Sequence, residues 1–332
     1  MIEENIIQSV PDDYPTERQV EVNTTVSDLL ARREITLENG ELLSYYAGGS
    51  GEQTIVIVNA YGQGLTYWTK IIANLLDTYR IIVWLPRGNG FDTVGVSRYY
   101  PVTGHREDLK RVVANERVEK CVFLGWCTGP KLILDYYSRH PDDIASMIFL
   151  GATFKNLPGQ AQLDTEYERG LDPLFKLVHD RPQLAGRFKE SLQLVLLAGK
   201  ANPDSAAEVM QMPGSPCSDL KEAVIEPYLT DEGVVNYARQ ILDFWNHDAS
   251  ELFAGVRVPV LFITGEYDRI ASTGMAQTAA QLIPGARYME IKGGSHYLQY
   301  EESSLTARII KLFLRLKSTN ALGVITSEYL HV

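Results

Sequence analysis

The sequence predicts an α/β fold, with a mostly parallel central sheet flanked by helices and a helical cap inserted between two strands. From residue 54 to residue 151, short apolar segments rich in β-branched residues alternate with helical segments, which is typical of a parallel sheet covered on both faces. Residues 152–254 show helical periodicity and no convincing strand. The apolar segment Val260–Gly265 then resumes the sheet pattern. An insertion of about 100 residues is too long for a loop, so we interpret it as a cap.

The elements can be predicted in chain order. A short helix is expected at 26–33, and two strands are expected around the turn-forming pair Asn39-Gly40. The segment Thr54–Val58 is apolar and β-branched, which indicates a buried strand. Further strands are predicted at 80–86, 120–126, 146–151, 260–265 and 286–293, and helices at 65–76, 104–117, 128–139 and 303–316.

These elements divide the chain into four parts. The α/β core comprises residues 32–151 and 255–320, and the cap or lid comprises 152–254. Residues 1–31 form an N-terminal extension, and 321–332 form a C-terminal tail that is either an extra strand or an interface arm. The apolar residues of the cap and the tail leave a homodimer open as a hypothesis.

Composition and charge exclude several classes of protein. Of the 332 residues, 45% are hydrophobic and 22% are charged, as in an ordinary globular domain. The net charge of −11 argues against nucleic acid or an anionic membrane as the main partner. The first residues lack the basic start and apolar run of a signal peptide. No stretch reaches the ~18 apolar residues of a membrane-spanning helix, so the expected location is the cytoplasm.

The three cysteines, Cys121, Cys127 and Cys217, are too few to indicate a disulfide framework and lie at no metal-ligand spacing. A reducing compartment fits this usage, and we expect no metal site. The loop RGNGFD only weakly resembles a phosphate-binding loop, so we expect no cofactor.

The sequence GWCTG at residues 125–129 lies between a predicted strand and a predicted helix. It has the form G-x-C-x-G, in the place of the G-x-S-x-G nucleophile elbow. Such a tight turn strains the backbone of the central residue and requires small residues two positions away on either side. The N-terminus of the following helix favours negative charge and therefore a thiolate. Cys127 is the predicted nucleophile, whereas Cys121 and Cys217 are predicted to be structural.

Three further motifs follow predicted strands. They are NAYGQG at 59–64, GEYD at 265–268 and GGSH at 293–296. The glycines before His296 allow its loop to bend so that the imidazole reaches across the edge of the sheet. Among the remaining histidines, only His105 and His247 are secondary candidates for the site.

Together these motifs resemble the α/β-hydrolase superfamily over about residues 32–316, and in particular its members with a cysteine nucleophile and thioesterase or acyltransferase activity. The loop LPRGNGFD also resembles the family's D-x-R-G-x-G-x-S loop, with Leu85 and Asp92 as departures. The resemblance implies a triad in the chain order nucleophile, acid, histidine, which here is Cys127, Asp268 and His296. Asp268 is preferred to Glu266 because the family usually spaces its acid as G-x-x-D.

The resemblance also implies an oxyanion hole built from two backbone N–H groups, those of Thr128 and Tyr61. Many members carry His-Gly where this chain carries Asn59-Ala60, which makes the second donor a departure from the family pattern. The predicted substrate contacts beside these groups are Trp126, Gly62 and Tyr297.

A cysteine paired with a histidine can exist as a thiolate and an imidazolium before the substrate arrives. Since exchange of a thioester onto a thiol is close to neutral in energy, we predict transfer or hydrolysis of an acyl thioester of coenzyme A or of an acyl-carrier protein. The apolar residues of the cap, such as Leu171, Phe175 and Phe244, indicate an apolar acyl group of medium size. Two alternatives stay open: an ester or lactone hydrolase similar to dienelactone hydrolase, and a non-catalytic binding protein on the same fold.

Overall fold

The structure is a computed structural model that describes residues 24–88, 100–197 and 218–315. Most of the predicted N-terminal extension, Asp92, Cys217 and the predicted tail lie outside these residues. None of the helices in the described ranges is long and apolar enough to cross a membrane.

The described residues contain an eight-stranded sheet with the strand order β1-β2-β4-β3-β5-β6-β7-β8. Its first strand pairs antiparallel with the second, and the second pairs antiparallel with the fourth. The other neighbouring strands are parallel, which confirms the predicted fold class. The strands are β1 (Ala31–Thr36), β2 (Leu42–Gly48), β3 (Thr54–Val58), β4 (Arg80–Trp84), β5 (Cys121–Trp126), β6 (Ile144–Leu150), β7 (Val260–Gly265) and β8 (Arg287–Ile291).

Helices cover the sheet and fill the segment between β6 and β7. That segment contains α5 to α9 and no strand among its described residues, although the exact bounds of a separate cap stay a prediction. The helices of the described residues are α1 (Val26–Leu29), α2 (Thr69–Leu75), α3 (Val102–Asn115), α4 (Gly129–Arg139), α5 (Glu166–Asp180), α6 (Ala185–Leu197), α7 (Ser218–Ile225), α8 (Asp231–Asn246), α9 (Ser250–Phe253), α10 (Thr273–Leu282), α11 (Leu298–Glu301) and α12 (Ser303–Arg315).

The central strand β3 shows why the sheet is covered on both faces. Its side chains alternate between the two faces of the sheet, and all five residues are buried. Ile55 and Ile57 belong to one apolar cluster, whereas Val56 and Val58 belong to the other. Each fully buried Ile or Val side chain stabilises the fold by about 1.5–3 kcal/mol, so a polar residue at any of these positions would disrupt the sheet.

The predicted helix at 26–33 is wrong in its second half. Helix α1 ends at Leu29, and Ala31–Thr36 forms β1, which pairs along its full length with β2. Arg33 points from this strand to the buried carboxylate of Glu116, with an N···O distance of 2.7 Å. The ion pair joins residues 83 positions apart, and together with the pairing of β1 and β2 it outweighs a local helical pattern.

Candidate active site

The turn between β5 and α4 holds Cys127 in a left-handed conformation, with φ at +55°. Neither Gly125 nor Gly129 has room for a side chain. A Cβ atom at Gly125 would lie 2.6 Å from Ile133 Cδ1, and one at Gly129 would lie 2.4 Å from Val58 O. The Cys127 N–H also donates to Leu150 O at 3.0 Å. The thiol is therefore fixed beyond the carboxyl end of β5, at the N-terminus of α4.

Two loops at the same edge of the sheet bring an imidazole and a carboxylate together. His296 Nδ1 lies 2.8 Å from Asp268 Oδ2. The other oxygen, Oδ1, accepts hydrogen bonds from the N–H groups of Ile270 at 3.0 Å and Ala271 at 2.8 Å. These bonds fix the carboxylate, which in turn fixes the tautomer and orientation of the ring.

Charge within this group outweighs the effect of burial on His296. Burial alone would lower the pKa of the imidazole, but the Asp268 carboxylate and the Cys127 thiolate raise it to about 10. The ring therefore carries a proton at neutral pH. The structure brings the three predicted triad residues together, in a geometry that suits nucleophilic attack followed by proton transfer.

Gly151, just after β6, is a residue of this site that the sequence analysis missed. Its φ is +46°, and a Cβ atom there would lie 2.9 Å from His296 Nδ1 and 3.1 Å from Asp268 Oδ2. Any side chain would therefore push the imidazole and the carboxylate apart. The signal in the sequence was a glycine at the end of the strand predicted at 146–151.

The loop after β3 is held by Asn59 and by the residue after the nucleophile. Asn59 Oδ1 accepts from Trp68 Nε1 at 2.7 Å, and its Nδ2 donates to the Gln63 and Gly64 carbonyls. The Tyr61 N–H donates to the side-chain hydroxyl of Thr128 at 3.0 Å. The two residues predicted to form the oxyanion hole are thus in contact, and the Thr128 side-chain oxygen already accepts a hydrogen bond from the second predicted donor, the Tyr61 N–H.

The fold and this geometry agree with one known family. A family model for the alpha/beta hydrolase fold matches residues 53–303. The chain belongs to this family. Membership supports an enzyme of the hydrolase class.

Similar α/β hydrolases include both receptors and enzymes. The karrikin insensitive 2 receptor CA of Petunia hybrida is 21% identical over 179 residues, which are 49% of this chain and 66% of the receptor. Two further receptors of that plant are matched over 42% and 40% of their length. The (R)-3-hydroxydecanoyl-ACP:CoA transacylase of Pseudomonas aeruginosa is 22% identical over 284 residues, 85% of this chain and 88% of that protein. Among solved structures, esterase RhEst1 from Rhodococcus sp. ECU1013 superposes with a TM-score of 0.66, at 20% identity, over 86% of this chain and 99% of the esterase.

A cavity opens beside Cys127. Loops at the edge of the sheet and the inserted helices both line it, with apolar side chains as well as hydroxyl and carboxyl groups. The apolar lining includes Leu171, Phe175, Ile241 and Trp245, and the polar lining includes Thr153, Tyr167, Glu168, Tyr228 and Tyr237.

Two of the three predicted substrate contacts line this cavity. Trp126 and Tyr297 both do so, and Trp126 Nε1 also donates to the His296 carbonyl at 3.0 Å. The third predicted contact, Gly62, does not line the cavity and instead lies under the cap. There its φ is +69°, and a Cβ atom would approach Tyr237 and Pro227 to within 2.7 and 2.8 Å.

The other candidate residues lie away from this group. His105 packs in the core against Tyr61, with 5.0 Å between ring centroids. His247 Nε2 lies 3.8 Å from Asp135 Oδ1. Cys121 is buried in β5, as expected for a structural cysteine. In the part of the chain that the structure describes, no three His, Cys, Asp or Glu residues are placed to hold a metal ion.

Proposed function

We propose that this protein is a cysteine-dependent acyltransferase or thioesterase that acts on an acyl thioester of coenzyme A or of an acyl-carrier protein. The observation that carries the proposal is the pairing of Cys127, held at φ +55° in the elbow, with an imidazole whose pKa is raised to about 10. A thiolate and an imidazolium are the two species that the first step of acyl transfer consumes.

In the first step, the Cys127 thiolate attacks the thioester carbonyl and a carbon–sulfur bond forms. The carbonyl oxygen becomes an oxyanion, which the N–H groups of Thr128 and Tyr61 stabilise. The tetrahedral species then collapses and the bond to the original thiol breaks. His296 gives its proton to the departing thiolate, so the products are a free thiol, a cysteinyl acyl-enzyme and a neutral imidazole.

In the second step, the neutral imidazole of His296 takes a proton from the acceptor, which is water, a thiol, an alcohol or an amine. The acceptor attacks the acyl-enzyme, and Cys127 leaves as a thiolate. Asp268 stabilises the imidazolium in the resting enzyme and in the tetrahedral intermediates, because its carboxylate accepts a hydrogen bond from the Nδ1–H group at 2.8 Å.

The second oxyanion donor has to be released for this reaction. The Tyr61 N–H now donates to Thr128 Oγ1 at 3.0 Å. We expect the Thr128 hydroxyl to rotate away when the substrate oxygen arrives, so that the substrate replaces one oxygen acceptor by another of higher charge.

Similarity to the transacylase, which is named for an acyl-ACP and coenzyme A, supports a thioester substrate. The second candidate function is ligand binding without turnover, which the named receptors favour. The paired His296 and Asp268 weigh against it, since a binding protein has no need of a raised imidazole pKa.

The test is intact-protein mass spectrometry after brief incubation with a panel of acyl-CoA thioesters and their ethyl esters. Wild type is expected to gain the mass of the acyl group, whereas Cys127→Ala gains none. Cys121→Ala is the matched control, because Cys121 is buried in β5 away from the cavity, and it should acylate like wild type. Reaction with esters alone would favour an ester hydrolase. Thermal stabilisation by these compounds without any adduct would favour the binding protein.

A further inference from the structure

The cap contributes three tyrosines to the cavity beside Cys127. Tyr167 lies on α5, Tyr228 lies just after α7, and Tyr237 lies on α8. All three line the cavity. Tyr228 is buried, whereas Tyr167 and Tyr237 keep partly exposed surface. Three separate parts of the cap thus place a phenol on one wall of the site.

These phenols form one hydrogen-bonded group, which we call the tyrosine cluster. The Tyr228 hydroxyl hydrogen-bonds to the hydroxyls of both Tyr167 and Tyr237. The rings of Tyr228 and Tyr237 lie edge to face, with centroids 5.2 Å apart. Phe175 packs edge-on against Tyr237 at 5.6 Å. Neighbouring aromatic rings therefore fix where the hydroxyls point.

The tyrosine cluster lines the same cavity as Cys127. Burial raises the pKa values of Tyr167 and Tyr237, and the charge of the nearby Cys127 thiolate raises both further. Both groups therefore stay protonated at neutral pH. Since Tyr228 has one proton to donate, one of the two phenols donates to Tyr228 and the other keeps its O–H for a ligand. Both phenols line the same cavity as Cys127, which an acyl chain attached to the sulfur would enter.

A fourth phenol lies beside the cluster. The Tyr67 hydroxyl is buried and has no hydrogen-bond partner among the described residues. The Tyr67 ring stacks on Tyr297, a residue that lines the cavity, with centroids 5.4 Å apart. A buried hydroxyl without a partner is unfavourable in a folded protein.

We infer that the acyl group of the substrate carries a keto or hydroxyl oxygen on carbon 3, and that the tyrosine cluster recognises this oxygen through the free phenol O–H of Tyr167 or Tyr237. The inference rests on the proposed function and adds the substrate class. An acyl group attached to Cys127 lies in the cavity that the cluster lines, and carbon 3 is two bonds from its carbonyl carbon. The rest of the chain extends to the apolar lining formed by Leu171, Phe175 and Ile241.

A saturated acyl chain would pack against these phenols without offering an acceptor. A polar wall that gains no hydrogen bond from the ligand disfavours binding, and this is how hydrogen-bonding sites reject analogues that lack the polar group. One or two neutral hydrogen bonds correspond to a preference of about tenfold.

The experiment measures binding to Cys127→Ala, which performs no chemistry. The probes are the pantetheine thioesters of hexanoate, 3-hydroxyhexanoate and 3-oxohexanoate, and isothermal titration calorimetry gives each Kd. At least one 3-oxygenated probe is expected to bind about tenfold tighter than hexanoyl-pantetheine. Adding Tyr167→Phe and Tyr237→Phe, singly and then together, should reduce this ratio stepwise to less than about threefold.

The matched control is Tyr288→Phe, which removes a phenol on β8 outside the cavity lining and should leave the ratio unchanged. Equal Kd values for the three probes, no measurable binding of any of them, or an equal change for all probes in the Phe variants would overturn the inference. Acylation of wild type by hexanoyl thioester together with equal Kd values would leave the proposed function standing. Tighter binding of the 3-oxygenated probes without any acyl adduct on wild type would leave the recognition by the tyrosine cluster standing and would overturn the proposed function.

Discussion

Two buried histidines of this protein have opposite properties. His296 and His105 are 4% and 0% exposed, yet the pKa of His296 is raised to about 10 and that of His105 is lowered to about 3. Burial lowers the pKa of both. At His296 the Asp268 carboxylate and the Cys127 thiolate outweigh it, whereas at His105 the Arg87 guanidinium lowers the pKa further. The charged partners, and not burial, distinguish the reactive histidine from the structural one.

The two histidines also differ in what surrounds them. The loop that carries His296 lies at the carboxyl edge of the sheet, where loops after several parallel strands meet. His105 lies on α3 inside the core, where its ring packs against Trp84 with centroids 5.6 Å apart. A group inside the core can support the Tyr61 loop, but it cannot reach a substrate bound in the cavity.

The largest effect expected from this contrast is on turnover. His296→Ala should lower kcat/KM for an acyl thioester by at least about 10³-fold, because it removes the proton donor and acceptor. His105→Phe keeps an aromatic ring against Tyr61 and should change kcat/KM by less than about threefold. Release of free thiol, followed with a chromogenic disulfide, measures both. A comparable loss in both variants would contradict the separation of the two roles.

The next effect concerns the carboxylate. Asp268→Asn removes the charge that raises the pKa of His296 while keeping a similar shape. We expect kcat to fall by about 10²–10⁴-fold, as when a triad loses its acid. The pKa of His296, followed by NMR of labelled imidazole nitrogens, should fall below about 10, because Cys127 is then the remaining group that opposes the effect of burial. An unchanged pKa of His296 in this variant would contradict the explanation given for His296.

Particular residues show how far the sequence leads to this site. GWCTG between a strand and a helix predicts the position of Cys127, because local geometry demands glycine on both sides. The strand-end motifs likewise indicate His296 and Asp268. The bond between the Tyr61 N–H and Thr128 Oγ1 could not be predicted, since it joins residues 67 positions apart through side-chain packing. Tyr167 was missed for a similar reason: helical periodicity shows that α5 exists, but not which of its faces meets the cavity.

A smaller change is expected at Thr128, where the second oxyanion donor is occupied. Thr128→Val has a similar shape and keeps the backbone N–H, but it removes the oxygen that accepts from Tyr61. Loss of this competing bond should raise kcat/KM by about 2–10-fold, the value of one neutral hydrogen bond. Thr128→Ser retains the hydroxyl and serves as the control, with a rate near that of wild type. A large loss in Thr128→Val that Thr128→Ser restores would instead make the hydroxyl itself an oxyanion donor.

The smallest expected effect is on stability in acid, to which His105 contributes. Its pKa is about 3 in the folded protein and about 6.5 when unfolded. Between these values the unfolded state binds a proton that the native state does not, so stability falls as the pH falls from 6.5 to 3. His105→Phe removes this proton-binding group. It should therefore shift the midpoint of acid unfolding, measured by circular dichroism, to lower pH by less than about one unit. The same substitution at the exposed His179 should leave the midpoint unchanged. An upward shift in His105→Phe would mean that packing lost around Tyr61 outweighs the gain from removing a buried base.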